Sequence, residues 1–387
     1  MEYTLTFKSA KMIDKILLFP YWLILKFRHF MYDCGLKKVH RTEVPSICIG
    51  NITVGGTGKT PHTEMLIRTL LEEEKWRDKN IAVLSRGYKR STKGFQQVPA
   101  DGMAKEYGDE PLQIKKKFPS ITVAVDRSRA EGCRFLADPQ KLHTSKKAKR
   151  CINKDMPKAD LIILDDAFQH RAIKADTTIV LVDYNRPIFN DHLMPLGRLR
   201  DLPERISKAD ITIVSKCPPS LNAWQKGKWA EALGLSGYDP GKCSGLRKGK
   251  IQHLFFTTIA YDTPGPIYPE GDARYLYAKR LVLFSGIAND LPLKHYLSSN
   301  YTIVRHFNFP DHHRFTRSDI RTIADAAEEY PTSVVMTTEK DCQRVRDCGR
   351  IPGNLKMRLF YTPIKTEFLP EEEKRLFISA LQQKLHV

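Results

Sequence analysis

The segment "GNITVGGTGKTPHTEML", residues 50–66, constrains the fold more than any other part of the chain. An apolar run precedes it and a helical pattern follows; between them Gly55, Gly56, Thr57 and Gly58 lead into Lys59 and Thr60. Glycines let backbone N–H groups close around a phosphate, and the N-terminus of the following helix favours an anion. Lys59 is placed to reach the terminal phosphates of a nucleotide and Thr60 to ligate Mg²⁺. The strict Walker A spacing fails, because residue 53 is threonine where that pattern has glycine. The tighter "GGTGKT" keeps every group that phosphate binding needs, whereas a plain glycine turn gives no reason for Lys59-Thr60. Nucleotide binding is the expectation.

A phosphate loop of this kind needs a parallel sheet, and the sequence supplies one. From Val44 to about Pro218, strand-like runs alternate with helical stretches: "PSICIGN", "NIAVLSRG", "SITVAVD", "ADLIILDDA", "TTIVLVDY" and "ADITIVSK". Several are apolar almost throughout, as strands covered on both faces must be. The expected fold class is therefore α/β, a P-loop NTPase-like, doubly wound, mainly parallel sheet. Ligands of such sheets sit at the carboxyl ends of the strands. Polar residues fall there: Asn51, Ser85-Arg86, Asp126, Asp165-Asp166, Asp183 and Lys216. Asp165 and Asp166 end a strand as a Walker B pair does, one carboxylate holding the metal and the other orienting it. After Pro218 a Gly- and Lys-rich stretch leads into further strand-like runs. A boundary is expected near residue 235, dividing a core domain (41–235) from a second, smaller α/β domain (236–387).

Residues 1–40 form a separate N-terminal region. "ILLFPYWLIL" (16–25) is uninterruptedly apolar and is followed at once by "KFRHFMYDCGLKK". Ten helical residues rise only about 15 Å, half of a hydrocarbon core of about 30 Å, so the run is too short to span. No small-residue cleavage site follows it. An aromatic apolar helix with cations behind it suits the membrane interface; a buried core helix is the alternative, and composition does not choose between them. The excess of 63 Lys+Arg over 44 Asp+Glu, a net +19, favours a polyanionic partner: nucleic acid, acidic membrane or phosphorylated substrate. The most basic stretch, residues 141–160, interleaves no stacking aromatics and is expected to be a solvated loop, so no nucleic-acid partner is expected. Nothing calls for an obligate protein partner. The eight cysteines show no metal-type spacing and read as reduced thiols.

On the acceptor side three clusters combine turn residues with reactive ones. "SRGYKR" (85–90) carries Arg86 and Tyr88, "YGDEP" (107–111) carries Asp109 and Glu110, and "PDHH" (310–313) carries His312. Transfer of a phosphoryl group to an alcohol needs a base, cations around the equatorial oxygens and exclusion of water. Spacing alone does not bring residues 109 and 312 together. A P-loop ATPase or GTPase switch acting on a protein partner is the alternative, and it has no use for these clusters.

The order "GNITVGGTGKTP", "LSRGYKR", "GDEP", "LDDAFQH", "LMPLGRLRD", "SGIAND", "FPDHH" and "MTTEKD" resembles the tetraacyldisaccharide 4'-kinases, the membrane-bound lipid A 4'-kinases of Gram-negative bacteria, from about residue 16 to about residue 365. The resemblance implies ATP and Mg²⁺ as cosubstrate and metal, and the 4'-hydroxyl of an acylated glucosamine disaccharide 1-phosphate as acceptor. It implies a peripheral enzyme at the cytoplasmic face of the inner membrane, held to an anionic surface. Asp109 would be the base with His312 supporting it; Lys59 and Thr60 would serve the nucleotide, and Thr60, Asp165 and Asp166 the metal. Asn51, Arg86, Tyr88, Glu110, Gln169, His170, Arg200 and Asp201 are expected to face the substrate. Two positions depart from the family's usual pattern: Asp201 stands where glutamate is usual, and Lys89 where glycine commonly follows "SRGY".

Overall fold

The computed structural model describes residues 12–385. In chain order the elements that build the site are α1 (Met12–Asp33), β1 (Ser46–Asn51), α2 (Lys59–Glu72), β2 (Ile81–Ser85), α3 (Asp109–Lys117), β3 (Thr122–Val125), α4 (Arg129–Ala137), β4 (Leu161–Asp165), β5 (Thr177–Asp183), β6 (Ile211–Ser215), β7 (Lys250–Tyr261), β8 (Arg280–Ser285), β9 (Thr302–Asn308), α5 (Arg317–Glu329), β10 (Val334–Thr338), α6 (Glu339–Arg346), β11 (Leu359–Thr362), β12 (Ile364–Phe368) and α7 (Glu373–Leu385). The apolar runs of the sequence thus appear as strands.

The larger sheet has 11 strands. Its parallel centre runs β7-β6-β5-β1-β4-β2-β3, with antiparallel pairings only at its margins. Successive residues point to opposite faces, so each strand feeds two cores. In β1, Ile47 and Ile49 pack on one side with Val83, Ile163 and Ile179, while Cys48 packs on the other with Leu84, Leu164 and Val180. Burial on both faces is what made these strands apolar without alternation. A smaller, 5-stranded sheet orders Gly265–Pro266, β11, β10, β8 and β9. Its α5 starts with a reciprocal capping box between Thr316 and Asp319.

The expected boundary near residue 235 falls inside the run of strands that belongs to the larger sheet. That sheet continues through Ser236–Asp239, Ser244–Arg247 and β7, and β12 rejoins it antiparallel to β7 after the smaller sheet is complete. The smaller unit is therefore an insertion between β7 and β12.

The basic stretch 141–160 is mostly exposed, pinned by the buried side chains of Leu142, Ala148, Cys151 and Ala159. The apolar run 16–25 lies within α1, of 22 residues and about 33 Å. Among the described residues no helix is long and apolar enough to cross a membrane. The choice between an interfacial and a buried helix resolves into a division by face: Leu18, Leu25 and His29 are buried against the body, while Leu17, Phe19, Leu23, Ile24, Phe27 and Phe30 are each at least half exposed.

Candidate active site

β1 ends at Asn51 and the chain turns through the phosphate loop into α2. Gly55 (φ 97°) and Gly58 (φ 85°) adopt the left-handed conformation that a side chain would strain, which turns the loop into the helix. The loop is held from behind. Asn51 Nδ2 donates to Thr57 Oγ1 (2.6 Å), Ser215 Oγ donates to the Thr57 carbonyl (2.9 Å), and Lys216 Nζ bonds the Gly56 carbonyl and Asp183. His62, inside α2, donates from Nδ1 to the Gly58 carbonyl (2.7 Å) and accepts at Nε2 from Thr257 (2.9 Å). Burial lowers its pKa to about 4, so this brace stays neutral.

At the end of β4, Asp165 is buried and accepts from Thr63 Oγ1 (3.2 Å) and Ser85 Oγ (3.1 Å). Burial, and then the charges of Glu110 and Asp166, push it up to about 6. Asp166 differs. Burial opposes its charge, but Lys59 (Nζ at 3.9 Å) and the Arg200 guanidinium outweigh that and hold it below the usual carboxylate range. Arg200 also donates to Asn51 Oδ1 (2.6 Å), joining the strand that enters the loop to the acidic pair. Arg129, nearly fully buried, donates to the carbonyls of Asp126 (2.7 Å) and Asp165 (2.9 Å). Among the described residues no cluster of three or more His, Cys, Asp or Glu side chains forms a cage for a metal. Two adjacent carboxylates beside a helix-start threonine, one of them raised by burial and its neighbours' charge, do fit Mg²⁺, which takes few protein ligands and completes its shell with phosphates and water.

The third part joins the two sheets. Gly108, at φ 95°, turns the chain into α3, whose first residue is Asp109. Its Oδ2 lies 3.2 Å from His312 Nδ1, 3.2 Å from Arg344 Nε and 4.0 Å from Lys340 Nζ. His312, at φ 61°, is anchored by its N–H on the Gly286 carbonyl (3.1 Å) and meets the Tyr88 ring edge-on at 5.6 Å. Lys340 donates to His312 Nε2 (3.3 Å) and Glu110 (3.2 Å). Since Lys340 can only donate, the His312 proton sits on Nδ1 and points at Asp109. A cavity of about 180 Å³ opens here, lined by Tyr88, Lys89, Asp109, His312, Arg314 and Arg344 among others.

Asp109 and His312, 203 residues apart, are thus brought together. Glu110 comes near enough to Asp165 to raise it, and Arg86 is exposed at the end of β2. Gln169 donates to the Asn51 carbonyl. His170 is lowered by burial and by the charges of Arg129, Arg28 and Arg86. Asp201, expected to face the substrate, instead turns its carboxylate into the protein. It is wholly buried, and its carboxylate accepts from His29 of α1 (2.6 Å) and from the Leu202 N–H (2.9 Å). Lys89 adopts φ 57°, the conformation that favours the glycine expected at that position. Lys340 and Arg344 were missed in the sequence; Lys340 lies in the "MTTEKD" motif, which ends β10 and begins α6, and Arg344 follows three residues after it on the same helix.

Behind the site, Lys117 of α3 binds Glu64 of α2 (2.7 Å) and Glu339 of α6 (3.0 Å), and Gln113 donates to Glu64 (2.8 Å). Burial and the Glu339 charge push Glu64 up to about 7. An acid raised in the folded state keeps a proton there that the unfolded chain has released, so its contribution favours folding at low pH and is lost as pH rises toward 7. Wild-type thermal stability is therefore expected to fall relative to Glu64→Gln between about pH 4.5 and 7. Melting curves whose separation does not change over that range would refute this.

The chain matches the family model described as tetraacyldisaccharide-1-P 4'-kinase over residues 12–386. A tetraacyldisaccharide 4'-kinase of Phocaeicola vulgatus is 37% identical over 353 residues, covering 90% of this chain and 88% of the relative. That of Flavobacterium johnsoniae is 35% identical over 373 residues, covering 95% and 96%. A crystal structure of LpxK from Aquifex aeolicus in complex with ATP shares the fold at a TM-score of 0.65 and 24% identity, over 96% of this chain and 100% of that one. The chain belongs to the tetraacyldisaccharide-1-P 4'-kinase family.

Proposed function

We propose that the protein transfers the γ-phosphoryl group of ATP to the 4'-hydroxyl of a tetraacyldisaccharide 1-phosphate, a step of lipid A biosynthesis. The observation that carries this reading is the pairing of Asp109 with His312 beside a phosphate loop, which a nucleotide switch does not need. Family membership supplies the substrate class.

Asp109 orients the acceptor hydroxyl and takes its proton, and His312 holds the carboxylate through Nδ1–H. Lys59 and Arg86 spread the charge on the equatorial oxygens of the transferred group. Gly55 to Gly58 bind the phosphates through their N–H groups. Thr60, Asp165 and Asp166 would hold Mg²⁺, which neutralises phosphate charge when bound. Asn51, Tyr88, Glu110, Gln169, His170 and Arg200 line or brace the substrate side. The base belongs to the larger unit and its histidine to the smaller one, so closure of the two completes the constellation and limits hydrolysis when no lipid is present.

The exposed apolar face of α1 rests in the cytoplasmic leaflet of the inner membrane, with the net positive charge holding the protein to anionic lipid. Release from membranes by a salt wash without detergent would refute that placement.

With γ-labelled ATP and a detergent-dispersed tetraacyldisaccharide 1-phosphate, a labelled bisphosphorylated lipid is expected, and Lys59→Ala should lower its rate about 10²- to 10³-fold. Nucleotide hydrolysis with no labelled lipid would overturn the kinase reading in favour of a switch.

A further inference from the structure

Helix α1 is bonded to both loops that carry the acidic pair and its arginine. Tyr21 Oη donates to the Arg200 carbonyl (3.2 Å), and His29 Nε2 lies 2.6 Å from Asp201 Oδ1. Arg28 donates to the Gln169 carbonyl (2.6 Å), while Arg171 donates to the His29 carbonyl (2.9 Å) and to Asp33 (2.7 Å). The same Arg171 approaches His29 Nδ1 at 3.3 Å. An arginine N–H only donates, so Nδ1 accepts, and the single ring proton of a neutral His29 is on Nε2, aimed at Asp201. Both partners are buried, His29 at 7% and Asp201 at 0% exposure. Asp201 adjoins Arg200, whose guanidinium holds Asp166 and Asn51, and Gln169 bonds the Asn51 carbonyl.

A membrane anchor needs none of this. An anchor can hang from a flexible joint, whereas these contacts fix the helix to the backbone of the two loops that set Asp166. On that side Leu18 and Leu25 also pack into the core, while the exposed apolar face of α1 points the other way, so the polar contacts add directed bonds to the loops beyond apolar packing.

We infer that His29 is a positioning residue for phosphoryl transfer: through Asp201 it seats the 198–202 loop, so that Arg200 holds Asp166 and the strand end at Asn51 in working geometry, and α1 is thereby part of the active site. This rests on the kinase reading. The carboxylate of Asp201 lies one methylene closer to its backbone than a glutamate would, and the imidazole spans the distance to it. Misplacement of the acidic pair by an ångström is costly to catalysis even where binding survives.

The test uses the full chain in detergent with labelled ATP and tetraacyldisaccharide 1-phosphate, together with sedimentation on anionic phospholipid vesicles. His29→Ala is expected to lower kcat about tenfold to a hundredfold, with lipid KM and vesicle sedimentation near wild type. His29→Gln, whose amide N–H reaches the place of Nε2, should restore most of kcat. Wild-type kcat in His29→Ala, or a loss that only follows reduced vesicle binding, would overturn the inference. Should the alanine chain not fold, Tyr21→Phe decides, since it deletes only the hydroxyl on Arg200: a fall in kcat supports the joint and an unchanged kcat removes it. A wild-type protein that makes no labelled lipid sinks the kinase reading and this inference with it, whereas an active wild type with unaffected variants sinks the joint alone.

Discussion

Asp109→Asn is expected to lower kcat for lipid phosphorylation about 10²- to 10⁴-fold, the range for loss of a general base, with ATP affinity little changed. The substitution keeps the size of the side chain and its hydrogen bond with the Glu110 N–H, at 3.2 Å in the wild type, but removes the charge that His312 Nδ1–H, Arg344 and Lys340 all face. Burial opposes ionisation of Asp109, and the His312 hydrogen bond with the charges of Lys340 and Arg344 overcomes it, so its pKa lies well below the usual carboxylate range. The base is accordingly ionised at every physiological pH, and the acid limb of kcat/KM should not show an ordinary aspartate pKa near 4. A base so acidic is a weak proton acceptor. In a loose phosphoryl-transfer transition state the bond to the nucleophile is little formed, so the proton need not leave early and orientation of the hydroxyl matters most. Steady-state rates with equilibrium ATP binding on the same preparation check this. A loss smaller than about tenfold would show that Asp109 is not the base.

Much of the scaffold was legible in the sequence because its physics is local. A strand buried on both faces must be apolar along its length, and β1, β4 and β6 announce themselves that way. The loop between Gly55 and Thr60 is likewise a local requirement. What stayed hidden depends on pairing between distant residues. The insertion of the smaller sheet could not be read at residue 235, because the strand that closes the larger sheet, β12, returns about a hundred residues after β7 and pairs with it by backbone bonds. Asp201 was given a substrate role by the resemblance, and only the docking of α1 shows that His29 bonds its Oδ1. Asp109 and His312 were joined by resemblance, not by spacing. Lys340 in the motif and Arg344 just beyond it were visible only as charges, and nothing along the chain says that both converge on Asp109, more than 230 positions away.

Arg344→Met is expected to cost about 3–5 kcal/mol of stability at neutral pH, as removal of one partner from a buried ion pair does. Arg344 is buried, donates to Asp109 (Nε, 3.2 Å) and to the carbonyls of Gly286 (3.0 Å) and His313 (3.3 Å), and pairs by charge with Asp341 (Nη1 at 3.0 Å). Methionine replaces its aliphatic stem but leaves two buried carboxylates without the cation between them. The pH dependence separates this cause from a packing defect. In the wild type Asp109 is depressed, so its contribution is fully present above the unfolded value of about 3.9 and is lost as pH falls through the folded one. In the variant Asp109 keeps His312 and Lys340, but Asp341, which burial already raises in the wild type, loses the largest charge opposing that rise and is raised further; the folded variant then holds a proton that the unfolded chain releases, and its stability falls further as pH rises above about 4. The gap between wild type and variant should therefore be small near pH 4 and widen toward pH 7. Urea unfolding at the two pH values measures it, and a gap of equal size at both would mean that the loss is one of packing and not of charge. Arg344→Lys, which keeps the charge without the planar fork, should fall between them.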